Sequence, residues 1–239
     1  MLNANNRFNL TQQVAETLGK AIVRGEYSKD KPVPSEAVIC TQLEVSRSAA
    51  REAVKSLAAK GLISSRARQG IRILPESQWN LFDADVLRWL SITNPSLELI
   101  RECAELRVAM EPEAAALAAT RQNRKKLDLV CAALNEMRLA ETGAADPLEA
   151  DISFHLSILN ASENRFFIQL GRIIDTTLRG SIRFTNHRSG LPAASYADHK
   201  LIYDAIVAGE ASEAANSSRQ LMEEALAFIT CAIDERDNS

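Results

Sequence analysis

Two groups of side chains in this 239-residue chain have the types and spacing to do chemistry. The first is Arg47 and Arg51, four residues apart, which a helix places on one face. Ser46 and Ser48 lie beside them, and Arg66, Arg68, Gln69 and Gly70 follow in a short basic turn. A guanidinium can reach guanine O6 and N7 with two parallel hydrogen bonds, and it also neutralises phosphate. The second group is Asp151 and His155, again one helical turn apart, with His199 further on. The whole chain has three histidines, and two of them fall here. A carboxylate and two imidazoles converging inside a helical core can hold a divalent metal, zinc or nickel. The plain alternative is that Asp151 caps its helix or pairs locally with His155. Arg107 adds a candidate two-pronged grip on a carboxylate. Its plain alternative is an i,i+4 bridge to Glu111, a pair worth little on a helix surface. Ser195, one turn before His199, offers a hydroxyl. His187 receives no role.

The elements that must position these residues can be read from periodicity and caps. Residues 9–24 have helical spacing, with Val14, Leu18, Ile22 and Val23 as the apolar stripe. Ser35 caps a short helix to about Leu43, Glu44-Val45 is a tight turn, and Ser46 caps a second helix to about Lys60. Ala50, Val54 and Leu57 form its inward face, and Gly61 stops it. Leu62-Ile63 and Ile71 to Ile73 read as two strands around the Arg66–Gly70 turn. Helix, helix, turn, helix, hairpin is a winged helix-turn-helix, assigned to residues 1–75. A linker helix region is expected over 76–95, with Pro75 to Gln78 as the linker proper and a helix near 79–92. Beyond it the pattern is all helical, near 96–120, 123–141, 146–161, 164–184, 195–208 and 211–234, with Pro112 as a candidate kink. The fold class is therefore mainly α, a winged helix-turn-helix followed by a helical bundle over 96–239.

Bulk properties agree. A 46% hydrophobic and 25% charged composition is that of an ordinary globular protein. The net charge of −3 conceals an asymmetry: up to Pro75 there are twelve basic and six acidic residues, so that segment carries +6 and the remainder −9. Only the first part is suited to a polyanion. No apolar run is long enough to span a bilayer, and Met1 to Phe8 lack a signal-peptide core, so a cytoplasmic protein with no membrane partner is expected. Cys40, Cys103, Cys131 and Cys231 are far apart and read as buried unpaired thiols.

On these residues the chain resembles a known family. Pro34-Ser35-Glu36, Val45-Ser46-Arg47-Ser48-Ala49-Ala50-Arg51-Glu52-Ala53, Gly61-Leu62-Ile63 and Gly70 are similar to the N-terminal domain of GntR-type regulators. The resemblance implies that Arg47 and Arg51 read the operator and that the turn ending at Gly70 is the wing tip. Many members carry an arginine directly after the Pro-Ser-Glu motif, where this chain has Ala37. Residues from about 98 to 230 resemble the FCD effector domain of the FadR branch, through Glu105-Leu106-Arg107, Asp151-x-x-Phe154-His155 and His199-x-x-Ile202. In metal-containing members of that branch the equivalents of Asp151, His155 and His199 are ligands together with a further histidine. That last position falls at about Leu221 here, which cannot ligate. Water or the effector would then complete the coordination, or the same residues hydrogen-bond the ligand with no metal. The segment Gln78 to Leu90 is similar to the linker helix of sugar-acid regulators, the D-galactonate type in particular.

The function expected is a DNA-binding transcriptional regulator, a repressor rather than an enzyme, controlled by a small carboxylate of the sugar-acid class. Its partners would be a palindromic operator, the effector and a second copy of the chain in a homodimer. A fatty-acyl-CoA sensor is the first rival, but it needs a long apolar tunnel, which Arg107, Asp151 and His155 oppose. A helical metalloenzyme is the second; it lacks a separate general base and leaves the basic N-terminal part without purpose.

Overall fold

A computed structural model describes residues 4–28, 31–66, 70–93, 96–187 and 195–237. The chain divides into two compact units, Met1–Asn94 and Pro95–Ser239.

The first unit contains α1 (Ala4–Val23), α2 (Glu36–Gln42), α3 (Arg47–Ala59), β1 (Ile63–Arg66), β2 (Gly70–Ile73), a 3-10 turn (Glu76–Gln78) and α4 (Ala84–Thr93). Ser35 Oγ accepts from Val38 N–H, and Ser46 Oγ accepts from Ala49 N–H at 3.2 Å, so both expected caps form. Glu44, with φ 51°, makes the sharp corner between α2 and α3. The strands pair antiparallel, Ile63 opposite Ile73 and Ser65 opposite Ile71. The core joins Val14, Leu18 and Ile22 to Ala50, Val54 and Leu57, with Leu62 and Ile63 from the hairpin.

Helix α4 and the turn before it are part of this unit, although the sequence reads as a linker there. Gly61 ends α3 with φ +76°, and a Cβ there would lie 2.3 Å from the Gln78 carbonyl oxygen, so only glycine fits. Asn80 N–H donates to the Lys60 carbonyl at 3.0 Å, and Lys60 Nζ reaches Asp83 at 2.7 Å and Asp85 at 2.9 Å. On α4, Trp89 is 1% exposed and lies so close to α1 that a Cβ on Gly19 would be 2.3 Å from its ring. Glu16 of α1 accepts from Trp89 Nε1 at 2.8 Å and takes both terminal nitrogens of Arg88 at 2.7 and 2.6 Å. The two tryptophans are thus core residues of the first unit.

The second unit contains α5 (Leu97–Arg121), α6 (Arg124–Glu141), α7 (Pro147–Ala161), α8 (Arg165–His187), α9 (Tyr196–Ala208) and α10 (Ala211–Asp237). Side-chain caps from Ser96, Asn123, Asp146 and Ser195 start α5, α6, α7 and α9. Helix α5 runs through Pro112 as one element, so the expected kink does not divide it. Its buried Ala114, Ala115 and Ala118 leave room for neighbouring helices, and α5 packs on α7, α8, α9 and α10. All four cysteines are unpaired, but Cys231 is exposed and the other three are half-buried, so the expectation of buried thiols holds only in part. Among the described residues no helix is long and apolar enough to cross a membrane.

Two outcomes are expected in the first unit. Gly19→Ala would raise helix propensity by up to about 1 kcal/mol. The buried Trp89 ring cannot yield, so overpacking wins and the net effect is a loss of about 1–3 kcal/mol in urea unfolding. The Glu16 carboxyl is held down to about 2 by its bonds to Arg88, against burial, with help from Lys20 and Trp89. Its stabilisation is therefore fully present above the ordinary value of 4.5 and is lost as pH falls toward 2. The difference in Tm between the unsubstituted chain and Glu16→Gln should shrink across that window; a constant difference would contradict the assignment.

Candidate functional site

The DNA-type constellation lies on the outer side of the first unit. Arg47 and Arg51 of α3 are both exposed, and neither has an ion pair or hydrogen bond among the described residues. Ser46 is occupied as the α3 cap, and its Oγ lies 3.1 Å from that of Ser48. Arg66 ends β1, exposed, and Gly70 begins β2 with φ +74°. Arg68 and Gln69 lie outside the described residues. Ala37 stands exposed on α2 and offers only a methyl group. Elsewhere this unit pairs its charges closely: Arg88 with Glu16, Lys60 with Asp83 and Asp85. Exposed arginines on α3 with no partner among the described residues have the chemistry to meet phosphate and base edges.

The second constellation does converge. Asp151 and His155 of α7 and His199 of α9 are buried together. His199 Nε2 lies 3.2 Å from Asp151 Oδ1, His155 Nε2 lies 3.5 Å from the same oxygen, and the two imidazole nitrogens are 3.4 Å apart. The opposite nitrogens are committed elsewhere. His199 Nδ1 is 3.0 Å from the Ser195 carbonyl, and His155 Nδ1 is 2.6 Å from Glu111 Oε2. Each Nδ1 therefore carries a proton, and each Nε2 faces the Asp151 carboxylate oxygen, with a lone pair in the neutral ring and an N–H in the imidazolium. Phe154 packs edge-on against both rings, with centroids 4.9 Å from His199 and 5.8 Å from His155. Asp146 caps α7, so Asp151 is free of the capping role that was its alternative.

Three acceptors facing one another need a cation or a proton between them. Burial opposes charge on His155, but Glu111 and Asp151 outweigh it and Arg107, and they push its pKa up to about 9. Burial likewise opposes ionisation of Asp151, yet the two imidazoles hold its carboxyl far below the usual range. Asp151 Oδ1 nonetheless has no hydrogen-bond partner. Bonds of about 2.0–2.1 Å to a tetrahedral zinc put ligand atoms about 3.3 Å apart. The observed edges of 3.2, 3.4 and 3.5 Å match that spacing. The residues present fit a divalent ion, with three protein ligands and one position open. Leu221, half-buried on α10, brings no donor.

Arg107 of α5 makes the i,i+4 bridge that was its plain alternative: its Nε lies 2.5 Å from Glu111 Oε1. The pair is buried rather than solvated, and Nη2 of Arg107 has no hydrogen-bond partner. Arg107 is near enough to Asp151 to feel its charge. Ser195 has two roles within the fold. Its hydroxyl caps α9 by accepting from Ala197 N–H, and its carbonyl, not its hydroxyl, orients His199. Sequence reasoning missed Glu111 as a site residue, because an Arg–Glu pair at that spacing is common on any helix surface. A groove of about 500 Å³ between α7 and α8 uses a different face of α7, through Ile152, Ser153 and Leu156, and includes none of these site residues.

A basic helix-turn-helix with a hairpin, followed by a helical unit with a buried polar cluster, is the build of a ligand-responsive bacterial regulator. The family pattern "Bacterial regulatory proteins, gntR family" matches residues 10–73, and the pattern "FCD domain" matches residues 102–224. The galactonate operon transcriptional repressor of Escherichia coli (strain K12) is 34% identical over 225 residues, covering 90% of this chain and 98% of that protein. The Glc operon transcriptional activator of Escherichia coli (strain K12) is 26% identical over 212 residues, covering 85% and 82%. A solved structure described as Lar, which controls the expression of the Listeria monocytogenes agr system, aligns with a TM-score of 0.55 at 20% identity, covering 92% of this chain and 96% of that one, and shows the same fold. This chain belongs to the GntR family, as a DNA-binding transcriptional regulator with an FCD domain. It is a regulator, not an enzyme.

Because Arg47 and Arg51 are exposed and unpaired, changing either to alanine should leave stability within about 0.5 kcal/mol. Operator affinity should fall by about 1–3 kcal/mol for a base-reading arginine, with a shallower salt slope for one that contacts phosphate. Fluorescence anisotropy on operator and scrambled duplexes separates the two; unchanged affinity for both would remove these residues from the interface.

Proposed function

We propose that this regulator is a cytoplasmic homodimeric repressor released from a palindromic operator by a sugar acid. The observation that carries the reading is one buried cluster, joined through Glu111, that holds an unsatisfied guanidinium nitrogen on Arg107 and the Asp151–His155–His199 set. A carboxylate satisfies the first, and hydroxyl groups suit the second. The likeness to the galactonate operon transcriptional repressor supports the same ligand class. Asp151, His155 and His199 would hold a divalent ion, zinc or nickel, which supplies a Lewis acid for ligand oxygens at the open position. Arg107 would take a carboxylate oxygen through Nη2, and Ser195 would keep His199 oriented through its carbonyl. A buried cluster of one acid, two imidazoles and a guanidinium suits a small polar ligand and not an acyl chain.

In the first unit, Ser46, Arg47, Ser48, Arg51, Arg66, Arg68, Gln69 and Gly70 would form the DNA face. Residues 1–75 would read DNA and 96–239 would sense and dimerise. The α4 segment between them, locked to α1 and α3, would carry the signal. The effector must bind the DNA-incompetent arrangement more tightly, since a ligand with equal affinity for both shifts nothing.

The test is operator binding of the full chain, titrated with D-galactonate and D-gluconate. A loss of operator affinity of roughly 5–150-fold is expected, and Arg107→Gln should abolish the response without weakening DNA binding in the absence of ligand. An operator affinity indifferent to every aldonate tested would end the sugar-acid reading.

A further inference from the structure

Glu111 is a carboxylate only 4% exposed, and its two oxygens serve different partners. Oε1 accepts from Arg107 Nε at 2.5 Å, and Oε2 accepts from His155 Nδ1 at 2.6 Å. Among the described residues it is the one group hydrogen-bonded to both the guanidinium and the histidine cluster. Burial works against its ionisation, but Arg107 and His155 together hold its carboxyl down to about 2. A solvated i,i+4 pair would need neither the burial nor the second partner.

We propose that Glu111 is a positioning residue of the effector site: it holds His155 with its proton on Nδ1 and its Nε2 lone pair in the cluster, and it engages Arg107 through Nε so that Nη2 is left for a ligand carboxylate. This role rests on the divalent-ion reading of Asp151, His155 and His199. A carboxylate on the far nitrogen of a ligating histidine fixes the tautomer and raises ligand basicity. The unsatisfied Nη2 follows from the same geometry, because Glu111 takes the guanidinium by Nε and not by both terminal nitrogens as Glu16 takes Arg88. Glutamine cannot replace it. An amide has one accepting oxygen; turned toward Arg107, it sets NH₂ against His155 Nδ1–H, donor against donor. The imidazole proton is then driven to Nε2, into the cluster. Turned the other way, the amide opposes Arg107 Nε.

The test compares the full chain with Glu111→Gln, both stripped by chelator and titrated with Zn²⁺ in a calorimeter. The variant should bind Zn²⁺ about 10–100-fold more weakly. The metal-dependent rise in Tm should shrink in step, while the metal-free variant keeps its helical circular dichroism. A merely structural role would lower the metal-free Tm and leave the Zn²⁺ affinity of the folded protein alone. Equal affinities would overturn the proposal and leave the divalent-ion reading standing. No Zn²⁺ binding by the unsubstituted chain would remove that reading and the proposal with it. Should the variant not fold, the unsubstituted Zn²⁺-loaded chain decides, with ¹⁵N-labelled histidine. A His155 proton on Nδ1 supports the proposal, and one on Nε2 overturns it.

Discussion

Two imidazole Nε2 atoms and a carboxylate oxygen meet inside the second unit, away from water. Such a set is unstable by itself: buried acceptors without donors cost about 1–3 kcal/mol each, and charged ones more. Much of the surrounding architecture answers that requirement. The α9 cap at Ser195 directs a carbonyl at His199 Nδ1. Glu111 does the same for His155, and Arg107 neutralises Glu111 in turn. Phe154 packs edge-on against both rings and closes their apolar side. What remains unmet is one acceptor on Asp151 and one donor on Arg107. A small anion with hydroxyl groups is complementary to that pair of deficits, and a hydrocarbon chain is not.

The first unit treats its charges in the opposite way. Where rigidity is needed, as between α1 and α4, Arg88 is fixed by both oxygens of Glu16, which also receives Trp89. On the proposed DNA face, Arg47 and Arg51 stand exposed, without partners among the described residues. The same residue type holds a helix in one place and, in the proposed DNA face, would meet a polyanion in another. An arginine already bonded to a carboxylate gains little from phosphate, while a hydrated one releases counterions from the DNA. The clamp of Lys60 on Asp83 and Asp85 ties the end of α3 to the start of α4, so α4 cannot behave as a loose tether.

Helices, caps and the basic hairpin were legible in the sequence because each depends on neighbours along the chain. Ser35 and Ser46 cap as read, and Val14, Leu18 and Ile22 face the core. What the sequence leaves open depends on distant contacts. Gln78 to Leu90 resembles a linker helix, and its anchors, Gly19 and Glu16 some seventy positions earlier, are not written in its local pattern. Ser195 offers a hydroxyl by type, and only the fold shows that this hydroxyl caps α9 while the Ser195 carbonyl faces His199 Nδ1.

By itself the sequence determined the order of elements, the division of charge, the family of the DNA-reading motif and the missing donor at Leu221. These follow from residue type and local period. Only the tertiary structure decided that Asp151, His155 and His199 share one buried point, and that the Arg107–Glu111 bridge is part of it. Periodicity tells which residues share a helix face, not which face another helix covers. An Arg–Glu pair one turn apart has the same spelling in water and in a core, and burial alone separates a solvated bridge from the support of a ligand site.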